Sequence, residues 1–510
     1  MIDGLPIEGW SGVNMKADRP TQKTVTHNER RQVFVGLGLI LIVAFLLRIY
    51  FALAFPNIHH PDEVFQYLEQ AHRLVFKYGV IPWEYREATR SWIVPGFLGG
   101  ILKLADTLNL AQPPIYLFLV IASLSALSLS VILIGFFWGY RTQGPLAGFI
   151  TAALCCVWFE LIYFAPKTLV EPIAANILLI GVYLAYPGQQ TANKHRLFAA
   201  GLFFGLVVAV RVNLAPAVLV AAAYICRRQV SEKWLPIILG GLVAFILAGM
   251  LDAFTWRYPF QSFVANIWVN VIEKKSQSYG TEPWYYFAKN WALVWGGAIV
   301  PMALLAAIAL RKNLLLGLVA ATIVATHMLF AHKEYRFVFP AVPFIVILIG
   351  LGTAEFFGYV QNAVSRKNQQ LTAGAVIIFG WAITSAILGA GDRFRPNWLR
   401  GTGSIHAFDY LRDRSDLCGI GLVDYPWDET AGYAHLHRNV PIIIPPINIA
   451  ASFPAYNYVL ANSQKKLPSA WPYSKVWCWK NDEICVYHRD GPCVTAPTQE
   501  VNEVIRLRGQ

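Results

Sequence analysis

"HHPDEVFQYLEQAHRLVFKYGVIPWEYREATRSW", residues 59–92, sets Asp62, Glu63 and Glu69, with Arg73, Lys77, Arg86 and Arg90, directly after a long apolar run. That run, Val33 to Phe55, has the roughly 20 residues needed to cross a ~30 Å hydrocarbon core. A chain that follows a span with so many ionisable groups either hydrates a loop at the membrane surface or builds a site there.

Composition makes the membrane the first fact about this chain. Its 510 residues are 56% hydrophobic and 14% charged, against roughly 25% charged in ordinary soluble domains. Apolar segments at 33–55, 114–138, 145–164, 172–187, 197–210, 213–226, 234–253, 291–310, 314–331, 337–357 and 371–390 predict about eleven transmembrane helices. The pair flanking Arg211 reads as one broken helix whose gap is buried in protein. Segment 92–106, interrupted by Pro95, Gly96, Gly99 and Gly100, is too short to span and reads as re-entrant or interfacial. The first span lies too far from the N-terminus, and lacks a small-residue cleavage site, to be a signal peptide. The net charge of +12 is spread over loops rather than gathered on one module, which excludes a nucleic-acid partner.

The positive-inside rule orients the spans. Lys16, Arg19, Lys23, Arg30 and Arg31 make residues 1–32 a cytoplasmic arm. The turns with Arg141, Lys194 and Arg196, Arg227 and Arg228, Arg311 and Lys312, and Arg366 and Lys367 fall on the same side. The membrane domain is then 33–390, with exoplasmic loops at 56–113 and 254–290. The tail, 391–510, follows on that exoplasmic side as a small soluble α/β domain. In it "SIHAFDYLRDRS" reads as a helix, and "GIGLVDY" and "VPIIIP" as strands. Its four cysteines can form disulfides there, Cys478 with Cys485 most easily. Cys155, Cys156 and Cys226 lie in apolar spans and read as small core residues. No internal repeat is visible.

Every polar motif falls on the exoplasmic face. Pro61 suits a first helical turn, so Asp62 and Glu63 either serve as acids at a helix start or supply a general base. In "PKTLVEP", Lys167 and Glu171 have an ordinary explanation as interfacial side chains that snorkel, as does Arg48. Arg211 lies too deep for that and is a functional candidate. Tyr279, Trp284, Tyr285 and Tyr286 fit an aromatic belt, or a surface on which a sugar stacks. "AHKEYRFVFP" places His332, Lys333, Glu334 and Arg336 in an exoplasmic turn, where cations can neutralise a phosphate leaving group. The chain has no G-x-x-x-x-G-K-[ST] loop, no zinc spacing and no soluble nucleotide-sugar domain, so a transferase here needs a lipid-linked donor.

Taken in order, "HPDEVFQYLEQAHRLVFKYG" with "WEY" and "RS", then "TLVEP", "YGTEPWYYF" and "HKEYRF", resemble the family-22 glycosyltransferases. These are the multi-span mannosyltransferases of GPI-anchor and N-glycan assembly, and the chain looks nearest to the GPI mannosyltransferase III type. The resemblance covers residues 58–340 and leaves out the tail. It implies a GT-C fold, and inverting transfer of mannose from a polyprenyl-phosphate donor to a glycan or glycolipid hydroxyl. Carried over residue by residue, it makes Asp62 the first choice of base and Glu63 the second. His332, Lys333 and Arg336, with Arg211, would face the donor phosphate. Glu84, Arg90, Glu171, Tyr279 and Trp284 would shape the sugar or acceptor site. It implies no metal or other cofactor. The chain departs from the family pattern at Glu282 and Tyr335. Lacking an Asn-x-Ser/Thr sequon and a retention tail, it leans toward a bacterial inner membrane with a periplasmic site, the endoplasmic reticulum with a lumenal site being the alternative. A transporter or flippase of a lipid-linked glycan is the competing function.

Overall fold

The computed structural model describes residues 27–187, 192–361, 367–446, 449–462, 467–480 and 484–509. Most of the 1–32 arm, with Lys16, Arg19 and Lys23, and Arg366 of the last basic turn lie outside them. All eleven expected apolar segments are helical. Six are long and apolar enough to cross a membrane: Arg31–Ala54, Pro113–Gln143, Val230–Thr255, Tyr286–Leu310, Tyr335–Tyr359 and Thr372–Ala390. The others are shorter, and two breaks account for much of the difference. Trp158 (φ −66°, ψ 121°) separates Pro145–Val157 from Phe159–Tyr163. Arg211 (φ −147°, ψ 91°) separates Lys194–Val210 from a 3-10 turn, Val212–Leu214, and the helix Ala215–Cys226. Segment 92–106 is the helix Ile93–Thr107, about 22 Å long at 1.5 Å per residue and short of the bilayer core.

Arg48 does not snorkel. It is fully buried, and donates to Ser128 Oγ at 2.8 Å and to the carbonyls of Ala44, Cys155 and Cys156 at 3.0–3.4 Å. The helix Pro145–Val157 ends there, and its last carbonyls lack helical partners. The guanidinium supplies them, so a charge that would otherwise seek water becomes a cap between two spans.

The helices Lys194–Val210 and Leu235–Thr255 touch backbone to backbone. A Cβ on Gly201 would lie 2.2 Å from the Ile237 carbonyl oxygen, and one on Gly240 would lie 2.1 Å from that of Phe198. Small residues permit this close approach in a membrane, where dispersion rather than water drives helix pairing.

Basic turns share one end of the bundle, where the guanidiniums of Arg141 and Arg196 both lie over the Tyr183 ring. The first loop and the tail meet at the other end, with the Ile58 amide donating to the Arg400 carbonyl at 2.9 Å. Among its described residues the tail has the expected helix, Thr402–Arg412, and five strands: β1 (Ile420–Val423), β2 (Ile442–Ile443), β3 (Tyr458–Asn462), β4 (Ser474–Cys478) and β5 (Ile484–His488). Their order is β2-β1-β3-β5-β4. β1 runs parallel to β2 and β3, and β5 antiparallel to β3 and β4. Cys478 is bonded to Cys485 and Cys418 to Cys493, while Cys155, Cys156 and Cys226 are free and buried.

Candidate active site

The first loop departs from a plain α-helix where its acids lie. Helical structure begins at Pro61, widens into a π-turn over Glu63–Leu68, and returns to α over Glu69–Phe76. Turns of this kind cluster at functional sites because one inserted residue re-aims everything before it. Asp62 stands immediately before that turn.

Arg336 binds the site together. Its Nη2 lies 2.5 Å from Asp62 Oδ2, its Nη1 3.1 Å from Glu171 Oε1 and its Nε 2.7 Å from Glu334 Oε2. The charge for the turn, the first loop and the "TLVEP" segment is thus one buried guanidinium, used as a planar fork. Burial presses the Asp62 carboxyl toward its neutral form, but Arg336 and then His60 outweigh it and hold its pKa well below the usual carboxylate range. Glu334 is depressed by the same balance of burial against Arg336. His60 bridges the two acids, with Nδ1 3.3 Å from Asp62 and Nε2 3.3 Å from Glu334. His332 donates from Nδ1 to the Gly280 carbonyl (2.9 Å) and from Nε2 to Glu334 Oε1 (3.0 Å), and the contact with Glu334 raises its pKa.

Arg211 reaches Glu171 Oε1 at 2.9 Å, from the break between its two helices. The remaining Glu171 oxygen, Oε2, and Arg211 Nε are buried without a hydrogen-bond partner among the described residues. Glu63 faces away from Arg336. Its side chain accepts from the His59 amide at 2.9 Å and lies 3.2 Å from Lys167 Nζ, while Thr168 Oγ1 donates to its carbonyl at 2.6 Å. Two adjacent acids therefore have separate tasks: Asp62 opens onto the cationic cluster, and Glu63 ties the start of the π-turn to the bundle.

A second polar chain runs along the same loop. Arg90 Nε donates to Gln66 Oε1 (3.0 Å), and Gln66 Nε2 donates to Glu84 Oε1 (2.7 Å). Burial lifts the Glu84 carboxyl to about 7, Arg90 opposing it. Among the described residues the terminal Nη1 and Nη2 of Arg90 have no hydrogen-bond or ion-pair partner. Lys275 lies 4.0 Å over the Trp83 ring, which brings the 254–290 loop against this wall.

The sequence-predicted residues are not all brought together. Asp62, Glu171, Arg211 and Arg336 form one contact network, with His332 joined through Glu334. Lys333 spends its ammonium on the carbonyls of Glu282 (2.9 Å) and Phe330 and so fastens the turn to the second loop. Tyr279 and Trp284 are 57% and 69% exposed; Tyr279 lies beside His332 with ring centroids 6.4 Å apart, and Trp284 packs edge-on against Tyr285. Sequence reasoning left out His60 and Gln66 and gave Glu334 no role of its own, although all three lie inside the quoted motifs. It also left out Glu160, fully buried in an apolar segment, which accepts from Trp158 Nε1 (2.9 Å), Trp295 Nε1 (3.0 Å) and the Tyr335 hydroxyl. A lone acid within a span is the signal that marks it. Its hydroxyl partner, Tyr335, is the residue next to Arg336. Among the described residues no group of three or more His, Cys, Asp and Glu side chains is arranged to hold a metal ion.

Known proteins resemble this chain in sequence and in fold. GPI mannosyltransferase 3 of Yarrowia lipolytica is 26% identical over 446 residues, 83% of this chain and 81% of that protein. GPI alpha-1,2-mannosyltransferase 3 of Danio rerio is 24% identical over 405 residues, 74% of this chain and 68% of that protein. Among solved structures, apo ArnT from Cupriavidus metallidurans superposes with a TM-score of 0.58 at 13% identity, covering 90% of this chain and 98% of that one. ArnT bound to undecaprenyl phosphate gives 0.56 at 11%, with the same coverage. At such identities the structures establish the fold alone, a GT-C type membrane bundle. Residues 39–395 match the sequence profile of the Alg9-like mannosyltransferase family. With most of its length inside that match, and the first loop, the "TLVEP" segment and the "HKEYRF" turn converging on one guanidinium, this chain belongs to the Alg9-like mannosyltransferase family.

Proposed function

We propose that this glycosyltransferase transfers mannose, with inversion, from a polyprenyl-phosphate donor to a hydroxyl of a glycan or glycolipid acceptor on the exoplasmic face. The observation that carries the reading is Asp62, an ionised carboxylate fixed by Arg336 at the polar end of a membrane bundle. In a single displacement, the acceptor oxygen forms its bond to the anomeric carbon on the face opposite the phosphate. The anomeric carbon–oxygen bond breaks toward polyprenyl phosphate, and the hydroxyl proton passes to Asp62. A carboxylate with a depressed pKa is a weak base. It serves here by orienting the hydroxyl and taking its proton late, once the new bond has made that proton acidic.

The leaving phosphate gains negative charge and needs uncommitted cations. Arg336 is engaged by Asp62, Glu171 and Glu334, so in this reading it positions the base. Arg90, with its open Nη groups, meets the phosphate, and Arg211 supports it. The ArnT structure that shares the fold holds undecaprenyl phosphate, which fits a polyprenyl-phosphate donor here, and the relatives' names point to a GPI-like acceptor. The tail's two disulfides suit an oxidising compartment on its side of the membrane. The relatives named above are eukaryotic, which favours a lumenal site and gives the periplasmic setting no support. Nothing in the family or the fold supports the transporter.

The test is purified protein in detergent with β-linked polyprenyl-phosphate mannose and a panel of mannoside acceptors, the product's anomeric configuration being read by NMR. An α-linked product supports the reading. A β-linked product, or no transfer from any polyprenyl-phosphate sugar by folded protein, overturns it.

A further inference from the structure

The family match ends at residue 395, so the role of the tail has to come from its own contacts. They concentrate on the first loop. Glu69, the first residue after the π-turn, is fully buried, and its carboxylate accepts three backbone N–H groups. One comes from Val80 in the loop (2.9 Å), and two come from the tail, Tyr433 (3.1 Å) and Ala434 (2.9 Å). Gly432 takes a left-handed φ of +66°, and a Cβ there would stand 2.7 Å from Glu69 Oε2 and 3.1 Å from Val64 Cγ1. The backbone is thus shaped around this carboxylate, with no room for a side chain. Trp427 of the tail meets Phe65 inside the π-turn, ring centroids 4.9 Å apart.

We infer that the tail is a clamp on the catalytic loop, and that Glu69 is a positioning residue which holds the π-turn so that Asp62 stays on Arg336. The inference rests on the transfer mechanism above. Its physical basis is the geometry of the turn. A π-turn carries one residue more than the α-helix it interrupts, and losing it would rotate the preceding residues by about 100° relative to those that follow. Asp62 and Glu69 lie on opposite sides of the turn, so relaxation to regular α-helix cannot keep both engaged. The N-terminal end is held by Glu63 on Lys167 and by Thr168 on the Glu63 carbonyl. The C-terminal end is held by Glu69 on the tail. With both ends anchored the wide turn persists, and the base keeps its direction.

The test compares Glu69→Ala, Glu69→Gln, Gly432→Ala and Trp427→Ala in the full chain, in detergent. It reads kcat and KM for donor and acceptor, thermal unfolding, and hydrogen exchange of the peptide covering residues 61–68. Gly432→Ala acts from the tail without altering the loop's sequence. The clamp predicts kcat lower by ten- to a hundred-fold in Glu69→Ala and Gly432→Ala, with donor KM within about three-fold of the parent. Exchange should quicken selectively at 61–68, and Glu69→Gln, which keeps one carbonyl acceptor, should recover part of both effects. Should Glu69→Ala or Gly432→Ala fail to fold, Trp427→Ala carries the same prediction. Unchanged kcat in folded variants overturns the clamp, as does lost kcat with exchange at 61–68 unaltered. If the parent protein transfers no sugar, the mechanism falls, and selective exchange at 61–68 alone decides whether the tail holds the loop.

Discussion

Arg336 Nη2 and Asp62 Oδ2 meet at 2.5 Å across 274 residues of sequence. The same guanidinium compensates Glu171 and Glu334, so Arg336→Gln leaves three carboxylates facing one another. Removing one partner from such a buried network costs about 3–5 kcal/mol, and the variant is expected to unfold at markedly lower temperature and to be inactive. Arg336→Lys keeps the charge but not the fork; it should fold, with turnover reduced by roughly a hundred-fold. The sign of the pH effect follows from the depressed Asp62 pKa. The stability it contributes is present above the pKa of an ordinary aspartate and is lost as pH falls through the lower, folded value. Weakening the Arg336 contact raises that folded value, so the acid limb of kcat/KM should move to higher pH in Arg336→Lys. An unmoved limb would separate Asp62 from the reaction.

In the proposed mechanism Arg90 carries the leaving-group part. Arg90→Gln should raise donor KM and lower kcat, each by about ten-fold or more, with little change in the KM for a neutral acceptor. Arg90→Lys should recover part of both. A variant that alters acceptor KM alone would move Arg90 from the phosphate to the acceptor site.

Glu84 gives a stability signature of opposite sign to Asp62. Its folded pKa is raised to about 7 by burial, above that of an ordinary glutamate, so between the two values the folded state binds more protons than the unfolded one. Stability therefore falls as pH rises from about 5 to 7, on the order of 1 kcal/mol per pH unit at the steepest. Glu69, raised to about 7 by burial against its three backbone donors, adds in the same direction. Glu84→Gln should flatten the decline in Tm over pH 5–8 without removing it, Glu69 supplying the remainder.

The two disulfides should differ in worth. Cys418–Cys493 closes a separation of 75 residues and Cys478–Cys485 one of 7. On chain-entropy grounds these correspond to about 4 and about 2 kcal/mol. Serine replacement of the first pair should lower the unfolding temperature more than replacement of the second, and should quicken exchange in the first loop through the tail.

Much of the site was legible because its residues come as ionisable clusters beside apolar runs. Asp62 and Arg336 each stand out in a short motif, and the topology expected from the positive-inside rule sets a basic turn on the exoplasmic side, against the usual bias. What the motifs could not give is direction. Asp62 and Glu63 are neighbours in sequence, yet one faces Arg336 and the other Lys167, because a π-turn follows them and nothing in the residue pattern marks its extra residue. The i, i+4 spacing of Glu69 and Arg73 suggests a pair on one helix face, whereas the Glu69 carboxylate accepts from Val80 and from Tyr433 and Ala434 of the tail. Arg48 read as an interfacial charge because its position near a helix end allows that. The carbonyls it caps belong to a helix that breaks at Trp158, a break with no glycine or proline to announce it. Hydropathy marked eleven segments that are all helical, but only six of them are long and apolar enough to cross a membrane, and breaks such as this one shorten others.

The central claim is that Asp62, and not its neighbour, takes the acceptor proton. The most direct measurement is single-turnover transfer from radiolabelled polyprenyl-phosphate mannose by Asp62→Asn and Glu63→Gln, beside donor binding by the same preparations. The account predicts a loss of roughly a thousand-fold in Asp62→Asn with donor still bound, while Glu63→Gln retains measurable chemistry and loses stability. Transfer at parental rate by Asp62→Asn, with Glu63→Gln inactive though folded, would contradict it.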